Sequence, residues 1–450
     1  MRNQFAVILG ALLLFTGLFL WLFPDLGGAV ATALIPACIA LATFRHYASD
    51  KRFVTAIFLA ALAARLAFGL FVHLFELREF FGGDANTYDF RGNLLLDHWL
   101  GLTDPNDIGV KIAVSQTGPG WGMYYLVAAI YYFVGRNILA AQSFCAVFGA
   151  ATAPMVYFCA QKVFGNLRVA KTAAVLVALF PAFIIWSGQL LKDGLIVFLL
   201  VLAMTMVLAL QERFNYAALV LLFVAIAAIL PLRFYIFYMV AAAAAGSFII
   251  GFSQSARSLV RNTVILVIVG LGLTYFGVTR NASEEITRYG NLERLQLSRM
   301  DLARSGGSGF AEDVDVSTTE GAISVIPIGF TYLMFAPFPW EAANLRQAIT
   351  LPEVLVWWAM MPLMVWGIWW AIRNRLRSAF PILIFSLMLT LAYSVFQGNV
   401  GTAYRQRTQI QVFLFIFIAV GWQLYRERKE DREIRRRQHD RRIRQMVRGV

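Results

Sequence analysis

One polar segment carries a carboxylate that could do chemistry in an otherwise apolar chain. Asp84 follows two glycines and precedes Tyr88, Asp89 and Arg91. The Asp84 carboxylate could take a proton from an acceptor hydroxyl or bind a divalent metal. An aspartate after glycine is also common as a plain helix cap, so the pattern leaves both interpretations open.

Basic residues elsewhere could bind an anionic substrate. Lys192 and Asp193 lie in a polar break between two apolar stretches, where the lysine could contact a phosphate and the aspartate could orient it or bind metal. The alternative is a simple ion pair in a connecting loop. Arg233, Arg405 and Arg407 supply guanidinium groups that either bind phosphate or pyrophosphate, or pair with a loop carboxylate.

A third kind of segment is aromatic. Prolines and aromatic residues precede Glu341. Such rings usually anchor a protein at the level of lipid headgroups. Alternatively, a ring could stack on a sugar while Glu341 accepts hydrogen bonds from its hydroxyls. Arg65, deep inside an apolar stretch, is costly to bury and is left without a predicted role.

Composition predicts that lipid surrounds these segments. The chain is 59% hydrophobic and only 14% charged, too apolar for a soluble protein of 450 residues. The net charge of +13 does not indicate nucleic-acid binding, because the tail 426–450 alone supplies +6, from eleven Lys/Arg and five Asp/Glu. That tail is typical either of a cytoplasmic basic segment near anionic lipid or of a charged helix without a partner. The sequence contains no Walker or dinucleotide-binding loop, so ATP hydrolysis is not expected.

The elements that must position these residues are apolar helices. The pattern predicts an all-α polytopic membrane protein of about twelve spans: 5–23, 28–44, 53–75, 138–160, 170–186, 194–210, 216–230, 234–251, 263–278, 354–372, 379–395 and 409–425. Two weaker apolar segments, 120–135 and 321–336, are predicted to be interfacial or re-entrant on the outer face. If both crossed, the basic loops near 161–171 and 253–262 would move outside, against the positive-inside rule.

The same charge count predicts sidedness and organisation. Both termini are expected in the cytoplasm, and the long loops 76–137 and 279–353, with ten Lys/Arg against seventeen Asp/Glu, are expected outside. The glycine-rich and acidic part of the second loop is predicted to be flexible, as a lid or a disordered stretch. The predicted units are 1–52 (two N-terminal helices), 53–278 (core with outer loop 76–137), 279–353 (outer loop with an interfacial helix), 354–425 (C-terminal helices) and 426–450 (basic tail).

The outer acidic segment from Gly83 to Tyr88 resembles the first extracytoplasmic loop of the GT-C superfamily of integral-membrane glycosyltransferases. The stretch 163–193, with Phe180 and Pro181 before Lys192 and Asp193, is similar to a region of that family that leads to a second acidic position. The resemblance covers about residues 53–210. It looks most like the branch encoded with bacterial exopolysaccharide genes.

The resemblance implies a GT-C-like fold and an activity outside the cytoplasm. A sugar would move from a polyprenyl-phosphate-linked donor to a glycan or lipid-linked acceptor in cell-surface or exopolysaccharide synthesis, with inversion at the anomeric carbon. Asp84 would be the catalytic base, or with Asp193 would bind a divalent cation such as Mg or Mn. The expected substrate-binding residues are Tyr88, Asp89, Arg91, Lys192, Asp193, Arg233, Glu341, Arg405 and Arg407. The expected location is a bacterial inner (plasma) membrane.

Two other functions fit the sequence. A polymerase or ligase joining lipid-linked oligosaccharides would depend more on Arg405 and on loop 279–353 than on Asp84. A transporter of lipid-linked glycan would need charged residues along a path through the spans, and the predicted spans are nearly free of charge apart from Arg65 and His73.

Overall fold

The computed structural model describes residues 24–116, 120–250, 256–289, 291–305, 307–342 and 344–448, and these residues confirm an all-helical protein. The predicted first span, 5–23, lies outside them. The helices are α1 (Pro24–Tyr47), α2 (Lys51–Leu74), α3 (Arg78–Phe81), α4 (Asp84–Trp99), α5 (Ile108–Val114), α6 (Gly122–Val134), α7 (Ile138–Phe164), α8 (Leu167–Leu179), α9 (Pro181–Ser187), α10 (Lys192–Glu212), α11 (Tyr216–Leu232), α12 (Phe234–Ile250), α13 (Ala256–Tyr275), α14 (Val278–Tyr289), α15 (Leu292–Ser305), α16 (Thr319–Ser324), α17 (Ile326–Phe335), α18 (Leu345–Phe396) and α19 (Val400–Arg448).

Helix α7 forms the centre of the core and shows why these residues become helices. The Asn137 side chain caps its start by accepting a hydrogen bond from the backbone N–H of Ala140 at 3.0 Å. Gly165, with φ of 65°, ends it in the left-handed conformation. Between these caps the helix is rich in alanine and almost wholly buried against α1, α2, α8 and α10. Small side chains allow this close packing between helices.

The candidate spans of the described chain can be counted by helix length and composition. Six helices of the described chain are long and apolar enough to cross a membrane, or up to eight if each of two bent helix pairs is one span. The prediction of twelve is therefore not confirmed. Helices α11 and α12 have 17 residues each, which gives about 26 Å at about 1.5 Å per residue, less than a bilayer core of about 30 Å. The weaker segments form the shorter helix α6 and the short pair α16 and α17.

Helix α18 contains two of the predicted spans. Its 52 residues would extend about 78 Å if straight, but Arg375 has non-helical backbone angles (φ −140°, ψ 24°). Before this kink, Trp357 packs on Phe415 and Trp366 packs under Arg428, so the chain runs parallel to α19. After the kink the contacts reverse, and Phe385 packs on Phe413 while Tyr393 bonds Gln409. The helix therefore turns back at Arg375.

The two ends of the helical core differ in character. At one end Lys171 pairs with Asp50 at 2.6 Å, and Lys162 pairs with Glu212 at 2.8 Å. Helix α10 begins at Lys192, at the opposite end of the core, and ends at Glu212 in this basic end. The starts of α4 and α19 meet it there, and they bring the polar segments of the sequence together.

Candidate active site

Two helix starts place the two candidate carboxylates. Asp84 is the first residue of α4 and Asp193 the second residue of α10, so neither lies in a loop as the sequence suggested for Asp84. The residues before these helices, Gly83 and Leu191, provide no side-chain cap. The backbone N–H groups of a helix start carry partial positive charge, which favours carboxylates in the first turn and can also attract other anions.

Arg405 joins the two carboxylates. Its Nη1 atom lies 2.8 Å from Oδ2 of Asp84, and its Nε donates to Oδ2 of Asp193 at 2.7 Å. The Asp193 side chain is 1% exposed, whereas that of Asp84 is 49% exposed. The buried aspartate therefore anchors Arg405, and the accessible aspartate is the one that can meet a substrate.

Two more cations complete the cluster. Nη2 of Arg233 lies 3.9 Å from Oδ1 of Asp193. Lys192, which directly precedes Asp193 in the chain, is also buried. With Lys192 protonated, three cations (Lys192, Arg233 and Arg405) against two carboxylates (Asp84 and Asp193) leave a charge of +1. Burial weakens solvent screening, so this excess attracts an anion more strongly than surface charges would.

Gly120 and Tyr88 shape the space around Lys192. Gly120 has a φ of +88°, and a Cβ there would lie 2.7 Å from Nζ of Lys192 and 3.3 Å from the Tyr88 hydroxyl. Only glycine suits both the backbone angle and this close approach. Burial, and next the nearby Asp84, raise the pKa of Tyr88 well above its ordinary value, so its hydroxyl stays a hydrogen-bond donor.

Arg65 stabilises the turn that precedes Lys192. It is fully buried and donates from Nε to Oγ of Ser187 at 2.7 Å and from Nη1 to the carbonyl of Ala178 at 3.1 Å. Pro181 has no backbone N–H to bond the carbonyl of Val177 four residues earlier, and Nη2 of Arg65 donates to that carbonyl at 3.3 Å. A Cβ on Gly194 would lie 2.5 Å from Cβ of Ser187, so α10 starts directly against this turn. Arg65 thus contributes to the placement of Lys192 and Asp193.

A cleft of about 540 Å³ opens beside Arg405, which we call the first cleft. Two arginines, Arg346 and Arg405, and no carboxylate are among its lining residues. Two further lining groups, Nε1 of Trp186 and Nδ2 of Asn399, are buried donors without a hydrogen-bond partner among the described residues. Buried polar groups are normally satisfied, so these donors are available to bond the acceptor oxygens of a ligand.

Other predicted residues on α4 point elsewhere. Asp89 accepts a hydrogen bond from the Tyr131 hydroxyl at 2.6 Å and pairs with Arg136 at 2.6 Å. Arg91 donates to the Tyr124 hydroxyl at 2.7 Å. Asp89 follows Asp84 by five residues, which places it on another side of the helix, whereas Tyr88, four residues on, shares the Asp84 face.

Arg407 and Glu341 also lie outside the cluster. Arg407 is 1% exposed and donates to the carbonyls of Met334 at 3.1 Å and Ala336 at 2.9 Å. Its position two residues after Arg405 in the same helix turns it away from the cluster. Glu341 accepts a hydrogen bond from the Tyr332 hydroxyl at 3.1 Å and lines a neighbouring cleft.

Sequence reasoning missed several lining residues. Trp186, whose ring centroid lies 5.4 Å from the Arg405 guanidinium carbon, directly precedes the polar break that the sequence does show. Arg346 donates to the carbonyl of Glu79, and no sequence pattern links these two positions. Gly120 and Asn399 lie in short glycine-containing polar stretches, which is a weak signal available from the sequence.

The residues present do not suit a resident divalent cation. No group of three or more His, Cys, Asp or Glu side chains that could hold a metal occurs in the part of the chain that the structure describes. Arg405 occupies the position between Asp84 and Asp193 that a bridging cation would need. The proposed mechanism therefore uses no divalent metal ion.

The comparison with known families agrees with this geometry. Residues 113–274 match the family model of dolichyl-phosphate-mannose-protein mannosyltransferase. This match supports a relation to the GT-C superfamily. It covers Lys192, Asp193 and Arg233 but neither Asp84 nor Arg405, which complete the cluster from outside the matched range. No curated protein matches the chain.

Proposed function

We propose that this protein is an integral-membrane glycosyltransferase that moves a sugar from a polyprenyl-phosphate-linked donor to an extracytoplasmic acceptor. The observation that carries the proposal is the buried cluster of three cations and two carboxylates, with its excess charge of +1, beside a cleft lined by hydrogen-bond donors. The matched family is named for a sugar carried on a polyprenyl phosphate. Such a donor is negatively charged and would be attracted by the cluster.

The cluster divides the chemistry between its members. An acceptor hydroxyl attacks the anomeric carbon, the bond from that carbon to the phosphate oxygen breaks, and polyprenyl phosphate leaves with the electron pair. Asp84, which is accessible, takes the hydroxyl proton. Lys192, Arg233 and Arg405 stabilise the negative charge that develops on the phosphate in the transition state. Direct displacement inverts the anomeric configuration.

The ends of the core support the proposed orientation. Basic loops gather at the end where Lys171 and Lys162 form ion pairs, and the cluster lies at the start of α10 at the other end. Because basic loops favour the cytoplasmic side, we propose that the cluster faces outward in a bacterial plasma membrane. A role in cell-surface or exopolysaccharide synthesis is part of the same proposal.

A polymerase or ligase acting on lipid-linked oligosaccharides is the second proposal, because part of loop 279–353 lies against the active-site helix. Gly309 forms a β-bridge with Asn399, at the start of the helix that carries Arg405. Since Arg405 bonds Asp84 directly, replacing either residue disturbs both, and such variants do not separate the two functions. Product length does: a transferase adds a single sugar, and a polymerase or ligase adds an oligosaccharide block.

The test of the proposed function is Asp84→Asn in purified protein reconstituted in lipid. Loss of the base lowers the rate of sugar transfer by about 10²–10⁴-fold. Binding of polyprenyl phosphate changes far less, because Asp193 still holds Arg405. Asp97→Asn, on the same helix and hydrogen-bonded through its side chain to Asn93, is the matched control. Full activity of the folded Asp84→Asn protein would exclude Asp84 as the base.

A further inference from the structure

A second cleft of about 640 Å³ adjoins the first and is lined in part by Glu341, for which the sequence left open a role in binding a sugar. It lies between the loop near 303–312 and the segment that follows α17. Four lining residues belong to both clefts: Ser308, Pro337, Gln347 and Val400. A molecule in the second cleft would therefore lie next to one held by Arg405.

One wall of the second cleft is fixed by backbone hydrogen bonds. The N–H of Phe310 donates to the carbonyl of Gly398 at 3.0 Å, and the N–H of Val400 donates to the carbonyl of Ser308 at 3.0 Å. Arg299 is buried and donates to the carbonyl of Ala311 at 2.9 Å. These described loop residues are thus bonded to their neighbours, and the flexibility predicted from the sequence stays a prediction. These backbone groups are also unavailable for pairing with an extended peptide.

Aromatic rings form the other wall. Tyr332 stacks flat on Phe310, with ring centroids 4.3 Å apart and an interplanar angle of 1°. Phe338 packs edge-on against Tyr332 at 5.5 Å and stacks on Trp340 at 5.1 Å. Tyr332 and Phe338 both line the cleft. These mutual contacts order the rings and give this wall of the cleft an apolar surface.

The charge of the second cleft is opposite to that of the first. Its charged lining residues are one cation, Arg304, and two carboxylates, Glu312 and Glu341, a balance of −1. Carboxylates accept hydrogen bonds from hydroxyl groups and repel phosphate or carboxylate groups on a ligand. The lining therefore suits an uncharged molecule with many hydroxyls and an apolar face.

We propose that the second cleft is the acceptor subsite and that it binds an uncharged carbohydrate. This inference rests on the proposed function, because it assigns the acceptor to the cleft beside the donor cluster. One C–H face of a sugar ring packs on Phe338 and Tyr332, while its hydroxyls donate to Glu312 and Glu341. The shared wall near Ser308 and Val400 leads the acceptor toward Arg405 and Asp84.

Saturation-transfer NMR on the full-length protein in lipid nanodiscs tests the assignment. The probes are mannotriose, maltotriose and a Ser/Thr-rich peptide, and polyprenyl phosphate binding is measured in parallel. The variants are the double change Glu312→Gln with Glu341→Gln, and separately Phe338→Leu, which keeps an apolar side chain. Glu320→Gln, a carboxylate in the same loop that does not line the cleft, is the matched control.

The expected result is saturation of the sugar C–H protons by the wild-type protein and by Glu320→Gln. The double variant and Phe338→Leu should weaken sugar binding by about tenfold or more, the effect of losing about 1.4 kcal/mol of binding free energy. Polyprenyl phosphate binding should stay within about twofold in every variant, a change of less than about 0.5 kcal/mol. Sugar binding that is absent from the wild type, or equal in all variants, overturns the inference, as does saturation of the peptide instead.

The proposed function fails in a different way. If the wild-type protein binds no polyprenyl phosphate, the donor assignment is wrong whatever the sugars do. If polyprenyl phosphate binds and Arg405→Ala abolishes that binding, but the sugars do not bind the wild-type protein, only the acceptor assignment is wrong.

Discussion

The two clefts share a wall but differ in charge and in the way their walls are built. Within the described residues, the first is lined by Arg346 and Arg405 without a carboxylate, and two of its buried donors have no hydrogen-bond partner. The second has two glutamates against one arginine, and stacked aromatic rings form one of its walls. An anionic lipid-linked donor suits the first, and a neutral acceptor suits the second. The difference in charge disfavours the anionic donor in the second cleft, so the shared polar region can bind two substrates at separate positions.

The largest effect should come from breaking the first cleft at Arg405. Arg405→Ala leaves the buried Asp193 without its main partner, which costs about 3–5 kcal/mol of folding stability. The same change removes the phosphate contact, so sugar transfer should fall below detection. Thermal unfolding in detergent and a transfer assay measure the two effects.

Arg405→Lys is the companion variant. It keeps the charge but loses the planar group that reaches Asp84 and Asp193 together. It should recover much of the stability and little of the activity. Near-normal transfer by Arg405→Ala would show that the first cleft does not hold the donor.

A middle-sized effect should follow from changing the charge of the first cleft directly. Thr402 lines this cleft, and Thr402→Asp adds a carboxylate where none is present. Repulsion of the donor phosphate should raise the donor KM by about tenfold, or about 1.4 kcal/mol, with the acceptor KM unchanged. Thr402→Asn, similar in size and uncharged, is the control. An equal rise in both KM values would contradict the separation of the clefts.

The smallest effect concerns the wall of the cluster at Gly120. Gly120→Ala strains a backbone with φ of +88° and pushes its Cβ toward Lys192, so it should cost about 1–3 kcal/mol of stability and raise the donor KM a few-fold. Gly135→Ala is matched, because Gly135 also has a positive φ (+75°) but no atom within 4 Å of its Cβ position. It should reduce stability to a similar degree without changing the donor KM. Chemical denaturation and steady-state kinetics separate the two outcomes. The same KM change in both variants would mean that Gly120 acts through strain alone.

Much of the fold could be predicted from hydrophobic pattern and charge. Apolar stretches predicted helices because a backbone in lipid must satisfy its own hydrogen bonds. The predicted count of twelve spans was not confirmed. The first predicted span lies outside the described residues, α11 and α12 are shorter than a bilayer core, and two predicted spans form the single helix α18, which turns back at Arg375.

The candidate site was predicted in part. Asp84, Tyr88, Lys192, Asp193, Arg233 and Arg405 were all among the expected residues, and the structure brings them together. Asp89, Arg91, Glu341 and Arg407 were expected with them and lie elsewhere. Asp89 and Arg407 were misplaced because the segments at 84 and 405 were interpreted as loops. Helical spacing would have set Asp89 apart from Asp84, and Arg407 apart from Arg405.

The sequence by itself determined that this chain is a helical membrane protein with carboxylates and cations in its polar breaks, because side-chain type and local pattern carry that information. Only the tertiary structure decided which groups meet. Arg405 lies 321 residues from Asp84 and 212 from Asp193 along the chain, and no local pattern records such contacts. Packing also decided that Asp193 is buried and Asp84 is accessible. That difference in solvent exposure makes the first an anchor and the second the proposed base.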